Sequence, residues 1–480
     1  MHKAISFLIQ TVAPLHLGCD EVYEPFNAVF DLDQKCLIAF DPYDFLARLP
    51  DNDRSQFLNI CQKGTIGSIL EIYKFMARHA KLAQGRAVPV TQALLQHYKK
   101  VLELREQDFS RQLQKFLIHR SAFLPLDQRP YIPGAAIKGA MRTAYLNSLA
   151  QKERVPLSGR DKEDGQGLEK KLLNGSFQTD PFRLLKISDF LPVGEVKTRI
   201  LYAINMKKEG GRGRGPYQIL EVIEPDAWFQ GTIHLEEWPE EMRQAARELQ
   251  KNISRPIKAN TLWQSIAHFF TKEKAREDEE LFAVGLPKFT LPLSHGDLPL
   301  RLGRHSGAEC LTLEGYRSIK IKTARDRYEI KDHATTLWLA AHAPENFSEP
   351  PRPFGWVILR RITEELENKC SAREHDWQEK QKSRIKPALP AAEAKVESKP
   401  TTQAPPPAIE VWEKATLTWN PGKQELTAMG PRNKKATGRG LDFIPEAHRA
   451  KLKKKGLQAT VTVEPLGNAW KIIKIEVPGP

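Results

Sequence analysis

Residues 132–146 read IPGAAIKGAMRTAYL. Pro133 and Gly134 make a turn, and the stretch behind them is small and apolar except for Lys138 and Arg142. Those two lie four apart, a helical spacing that sets both cations on one face. A helix start presents unbonded backbone N–H groups, and with the dipole behind them these form an anion site. Gly134 and Gly139, among alanines, leave room for a second chain to approach. Two readings follow. Either a phosphate backbone lies against this helix, or the helix packs tightly through its small residues and its cations are solvated.

Working outward, residues 3–12 (KAISFLIQTV) read as a first strand, broken by Pro14 and the turn at Gly18. KCLIAFDPYDFLARL gives an apolar run and then a helix, with Asp41 as N-cap and Pro42 at the first position. Residues 52–120 repeat apolar residues at three and four, a helical insertion. Residues 151–180 are polar and read as a loop. Strand-like runs resume at LLKISDFLP, TRILYAINM, YQILEVIEP and DAWFQGTIHLEE, two of them flanking KKEGGRGRGP at 207–216. A helical stretch at 239–283 precedes LPLRLGRHSGAECLTLEG, and RPFGWVILRRI reads as the last strand of the body. The fold class is α+β, with a body over 1–370. Residues 371–409, rich in Lys, Glu, Ala and Pro, read as a linker. Residues 410–480 hold five short alternating runs, the pattern of a small all-β, OB-like barrel.

The 480-residue chain carries 73 Lys and Arg against 59 Asp and Glu, a formal charge of +14, which favours a polyanionic partner, nucleic acid before membrane. Residues 410–480 hold 13 of these cations against 7 acids, a net of +6. Five cysteines, widely spaced and without a C-x-x-C pair, support neither a disulfide framework nor a zinc knuckle, and fit a cytoplasmic protein. The apolar N-terminal run is too short for a signal peptide, and no later stretch nears about 18 apolar residues, so no membrane association is expected. No P-loop, H-E-x-x-H or G-x-S-x-G occurs, and Asp51 and Asp53 lack a third ligand, so neither cofactor nor metal is expected.

The candidate RNA-binding residues fall in four places. Gly134, Lys138 and Arg142 belong to the quoted helix. Arg212 and Arg214 sit in the Gly-Arg loop, where guanidinium can fork onto phosphate or stack on a base; a surface loop without function has the same composition. Arg301, Arg304 and His305 surround the glycine turn of LRLGRHSGAE. Lys320 and Lys322 share one face of a strand in YRSIKIKTARDR, as nucleic-acid contacts or as charges guarding an edge. His16, after the first strand, is either a general base or a turn histidine that hydrogen-bonds or stacks. In the C-terminal unit Trp419 and Trp470, with KLKKKG, are either a single-strand platform or barrel core.

The order of these landmarks resembles the RAMP superfamily of CRISPR-associated proteins. The carriers are Pro14-Leu15-His16-Leu17-Gly18 as P-h-H-h-G, Ile132 to Arg142 as I-P-G-x-x-h-K-G-x-h-R, and Arg301-Leu302-Gly303 through Gly307 as R-h-G-x-x-x-G. The combination is most similar to the subunit that caps the 3′ end of the guide RNA in type III-A (Csm) effector complexes, over roughly residues 3–365. The resemblance implies a ferredoxin-like (RRM-type) core with helical insertions. It also implies binding of the guide (CRISPR) RNA without cutting it, backbone RAMP subunits of the same complex as neighbours, and host trimming nucleases as further candidates. The alternative it carries is a RAMP endoribonuclease that processes CRISPR repeat RNA with His16 as base. The linker and the C-terminal unit lie outside it.

Overall fold

The run ISFLIQT forms β1 (Ile5–Thr11), whose Phe7, Leu8 and Ile9 are all buried, as a central strand requires. In the computed structural model the described residues are 5–480 without 155–164, 175–177, 214, 238–239, 249–252, 325–326, 385–409, 421–424, 432–433, 441–443, 447, 450–451, 453–455, 467–468 and 478–480. After β1 come β2 (Gly18–Tyr23), β3 (Ala28–Asp31) and β4 (Cys36–Phe40). The helical insertion starts earlier than 52, at α1 (Pro42–Arg48), where the Asp41 carboxylate accepts from the N–H groups of Tyr43 and Asp44. It continues through α2 (Asp51–Gln62) and α3 (Ile66–Arg78), is interrupted by β5 (Gly85–Pro89), and ends with α4 (Gln92–Leu102) and α5 (Glu106–Gln112).

β6 (Ile118–Ser121) leads into α6 (Gly134–Glu153), the quoted helix. The interval expected as a loop holds α7 (Gly165–Leu173), because its Leu172 and Leu173 bury into the core. Then follow β7 (Leu185–Ile187), β8 (Leu191–Val193), β9 (Thr198–Lys207), β10 (Gln218–Ile223), β11 (Trp228–Leu235), α8 (Glu240–Glu248) and α9 (Ala259–Ala283). The unit closes with β12 (Leu298–Arg301), the hairpin β13 (Ile319–Ala324) and β14 (Arg327–Lys331), β15 (Thr336–Ala341), β16 (Arg352–Pro353), β17 (Trp356–Arg361) and α10 (Glu364–Arg384). α10 corrects the expected linker. The segment from 371 to 384 is helical, since Glu, Lys, Arg and Gln favour helix and the first proline after it is Pro387.

Two sheets organise this unit. The first has the order β12-β17-β1-β11-β7, with β8 also on β11 and every neighbour antiparallel. α6 and α9 bury one face, around Phe7, Ile9, Ile137, Met141, Ile266 and Phe270. Each such side chain contributes about 1.5–3 kcal/mol when fully buried. The other face packs Leu8 and Val193 against Cys370 of α10. The second sheet runs β16-β15-β9-β10-β6-β2. One face lies under the helical insertion through Leu94, Tyr98, Ile200, Tyr202 and Ile219. The opposite face carries Leu201, Ala203, Leu220, Val222 and Ala340 with Phe354 over them.

Contacts divide the chain at Lys386/Pro387. The second unit contains β18 (Glu410–Asn420), β19 (Glu425–Met429), β20 (Lys435–Arg439), β21 (Leu457–Leu466) and β22 (Ala469–Glu476), one on each of the five expected runs. They close a barrel in the order β18-β19-β20-β22-β21, with β20 and β22 parallel and the other pairs antiparallel. Trp412, Leu417, Leu426, Val461 and Ile472 fill its interior. No helix among the described residues is long and apolar enough to cross a membrane.

Candidate nucleic-acid interface

Two motifs far apart in sequence meet backbone to backbone. The turn Pro14–Gly18 is pinned to β10 by Leu15, which exchanges hydrogen bonds of 3.0 and 2.7 Å with Ile223. Its His16 carbonyl accepts from the Arg304 N–H at 2.9 Å. Gly303 makes this approach possible. Its φ is +78°, and a Cβ there would lie 2.3 Å from the His16 carbonyl oxygen. A third turn joins them: Gly355 N–H donates to Pro14 O, and Leu302 N–H donates to Gly355 O, both at 2.9 Å.

This junction sorts the candidate residues by exposure. His16 is fully buried, with Nδ1 2.7 Å from the Glu221 carbonyl oxygen and Nε2 without a hydrogen-bond partner. Burial lowers its pKa to about 4, so the ring is neutral at pH 7. The expected direct contact of His16 with RNA is therefore corrected, because no ring atom reaches the surface. Arg301 is corrected likewise. It is buried, its guanidinium pairs with Glu277 at 2.5 Å, and its Nε donates to Phe354 O at 3.0 Å. Trp356 Nε1 donates to the same Glu277 at 2.6 Å. Removing one partner of such a buried pair costs roughly 3–5 kcal/mol; Arg301 holds the turn in place.

What the turn presents outward is different. Arg304 is exposed. His305, held at φ +65°, stacks on Trp338 with ring centres 4.4 Å apart, and its Nε2 lies 3.2 Å from Gln218 Oε1. Burial first, then the Arg304 charge, lowers its pKa to about 3. His119, directly across from Leu220, is shifted downward by burial and by Arg304 as well. An exposed guanidinium beside a neutral imidazole–indole stack can fork onto a phosphate and support a base. His119, Gln218 and Trp338 join this group through the fold and carry no motif in the sequence. Trp338 sits in an alternating run, TLWLAA, that marks a strand but not which sheet face the indole lands on.

The quoted helix is occupied by its own protein. Gly134 N–H donates to Asp189 Oδ1 at 2.8 Å, so the helix start already has its anion. A Cβ on Gly134 would lie 2.6 Å from the carbonyl oxygens of Ile187 and Ser188, and the small residue serves that close packing. Lys138 Nζ donates to Leu185 O at 2.8 Å, and burial, then Lys186, lowers its pKa. Arg142 pairs with Glu169 at 2.6 Å and Asp180 at 2.8 Å. The shared face is confirmed, but it turns toward α7 and the chain before β7. Gly134 thus serves close packing, and the half-buried Lys138 and Arg142, expected to cradle a phosphate, are each engaged by partners within the chain.

The remaining cations lie on loops and a hairpin. Arg212 is exposed and paired with Glu345, while Gly213 N–H donates to Asn205 O at 2.7 Å and folds the loop onto the end of β9. Arg214 lies outside the described residues. Lys320 and Lys322 are exposed and stand opposite Ile330 and Tyr328, with the Lys320 amino group 4.3 Å from the Tyr328 ring centre. No contact joins the Arg304 group to Lys138 or Arg142 among the described residues. All five cysteines are free, and no cluster of metal-ligating residues occurs among the described residues.

A family model described as the RAMP superfamily matches residues 8–263. No curated protein matches the chain. Among solved structures, a chain of a cryo-EM Csm–crRNA–target RNA ternary complex of a type III-A CRISPR–Cas system is 17% identical. That alignment covers 75% of this chain and 100% of the other, with a TM-score of 0.49. The crystal structure of T. onnurineus Csm5 is also 17% identical, covering 73% of this chain and 99% of the other at a TM-score of 0.43.

Proposed function

The chain belongs to the RAMP superfamily, and from that premise we propose that it is a non-catalytic RNA-binding subunit of a type III-A CRISPR interference complex, capping the 3′ end of the guide RNA. The first sheet fits this reading, since β17-β1-β11-β7 with crossovers through α6 and α9 is the strand order of a ferredoxin-like core. Its neighbours would be the backbone RAMP subunits and its ligand the guide.

The observation that carries the reading is the junction of the P-h-H-h-G and R-h-G-x-x-x-G turns, which sets Arg304 at the surface beside the half-buried His305–Trp338 stack. It also speaks against the endoribonuclease alternative. A buried, neutral His16 whose Nδ1 is already bonded cannot take a proton from a ribose hydroxyl outside. These observations support the glycine turn, rather than the quoted helix, as the contact surface we propose.

The test is reconstitution of the effector complex with guide RNA, with sequencing of the RNA ends it protects. Arg304→Glu should weaken guide binding about tenfold, one charge-assisted contact reversed, and should blur the protected 3′ ends. Repeat RNA incubated with the chain without metal should stay intact. Unchanged 3′ ends with Arg304→Glu, or cleavage lost with His16→Ala, would refute the proposal.

A further inference from the structure

The C-terminal barrel has a surface that the reading above does not use. Its strand order, β18-β19-β20-β22-β21 closed on itself with one parallel pair, is that of an OB-fold, whose second and third strands form the face on which such barrels hold oligonucleotides. Strand alternation sends Leu417, Leu426, Ala428 and Ala436 inward, so their neighbours point out. Register then places Thr418 opposite Thr427, Thr427 opposite Thr437, and Thr437 opposite Lys471. This is an unbroken row across four strands, three hydroxyls ending in an ammonium. Lys435, two residues from Thr437 on the same side of β20, is exposed beside it.

Charge identifies the occupant. Lys434, Lys471 and Lys474 are offset by Glu410, Glu464 and Glu476 at 2.5, 3.3 and 2.7 Å. The excess of +6 over 410–480 therefore owes most to other cations of the sequence, among them Lys423, Arg432, Lys451 and Lys453 to Lys455, which lie outside the described residues. The Lys471–Glu464 pair is exposed, and such pairs contribute little, so a phosphate can replace the glutamate. The aromatic platform suggested for Trp419 and Trp470 is not on this face. Trp470 meets the buried Trp412 edge-on at 5.8 Å with the Lys434 amino group over it, and Trp419 packs against the barrel core. Without stacking rings, recognition rests on backbone chemistry. Threonine hydroxyls both donate and accept, which suits a ribose 2′-hydroxyl.

We propose that single-stranded RNA lies across this row, its 2′-hydroxyls met by Thr418, Thr427 and Thr437 and its phosphates by Lys435 and Lys471, with little preference for base. The barrel is then a second RNA contact, separate from the glycine turn.

The experiment uses the full chain with a fluorescent 12-nucleotide oligo-U RNA and the matching oligo-dT DNA. Binding is titrated against salt, and ultraviolet cross-links are mapped to peptides. Cross-links within 410–480 are expected. In Lys435→Glu/Lys471→Glu the affinity should fall about tenfold, and the slope of log K against log salt should flatten by about 1.4, two phosphates at ~0.7 each. Lys435→Arg/Lys471→Arg should retain both, and Lys435→Gln/Lys471→Gln should fall between. Equal affinity of the Glu and parent chains, or oligo-dT binding as tightly as oligo-U, overturns the inference. Cross-links confined to residues before 386 overturn it and leave the guide-RNA reading standing. Cross-links confined to 410–480 support it and remove that reading.

Discussion

His16 links the sequence to the solvent through its protonation. Its depressed pKa of about 4 lies below the ordinary 6.5, as do those of His305 and His119, so between those values the unfolded chain takes up protons that the folded chain refuses. Stability is complete above pH 6.5 and falls as the pH is lowered toward 4, by about 3 kcal/mol for His16 alone. Glu309, held near 2 although burial alone would raise it, because Arg276 and Lys208 outweigh that burial, adds its own loss only below its ordinary 4.5. Denaturant unfolding at pH 7.5 and pH 5 should therefore show the drop, and His16→Asn should shrink it; an unchanged drop would remove His16 as its source. The histidine and its turn were legible in the sequence. Its burial was not, because the groups that cover it come from Glu221 and Arg304, hundreds of residues downstream. The same holds for Arg142. Spacing gave the face, but Glu169 and Asp180 reach it only through the fold.

Among the elements, α10 shows how composition misleads. Its Lys- and Glu-rich sequence looks like a solvated tether, yet two arginines of opposite origin fix it to the body. Arg129 pairs with Glu374 at 2.9 Å and lies 3.6 Å from the Trp377 ring centre, while Arg373 lies 4.3 Å from that of Trp228. Cation–π contacts of this kind contribute about 0.5–2 kcal/mol. Trp377→Ala should accordingly speed amide exchange through 364–384 about tenfold, one such contact converted at 1.4 kcal/mol per decade, and leave β1 and β11 protected. Equal exchange in the variant would show that the helix docks by other means. A hydrophobic pattern could not announce α10, since cations and single aromatics hold it and only Cys370 and the partly buried Leu366 pack its apolar side against the first sheet. The barrel strands were readable for the opposite reason: period-two alternation is imposed by a closed surface with one inside.

At the scale of the whole molecule, two units with separate cores imply two unfolding transitions. Leu417→Ala, which empties a fully buried site, should lower only the barrel transition, by roughly 2–5 kcal/mol. A shift of both in calorimetry would show that the units unfold as one. Within the first unit, β1 lies between β11 and β17, partners that end at residues 235 and 361. That placement governs how the chain leaves the ribosome. Synthesis runs at about 5–20 residues per second, so the opening strand waits roughly 20–70 s for its last neighbour. For the latter part of that wait it has one edge paired with β11 and the other bare, an adhesive ribbon on a nascent polypeptide. A chaperone that shields the emerging amino-terminal segment until translation passes residue 361 is what this topology asks of the cell that makes it.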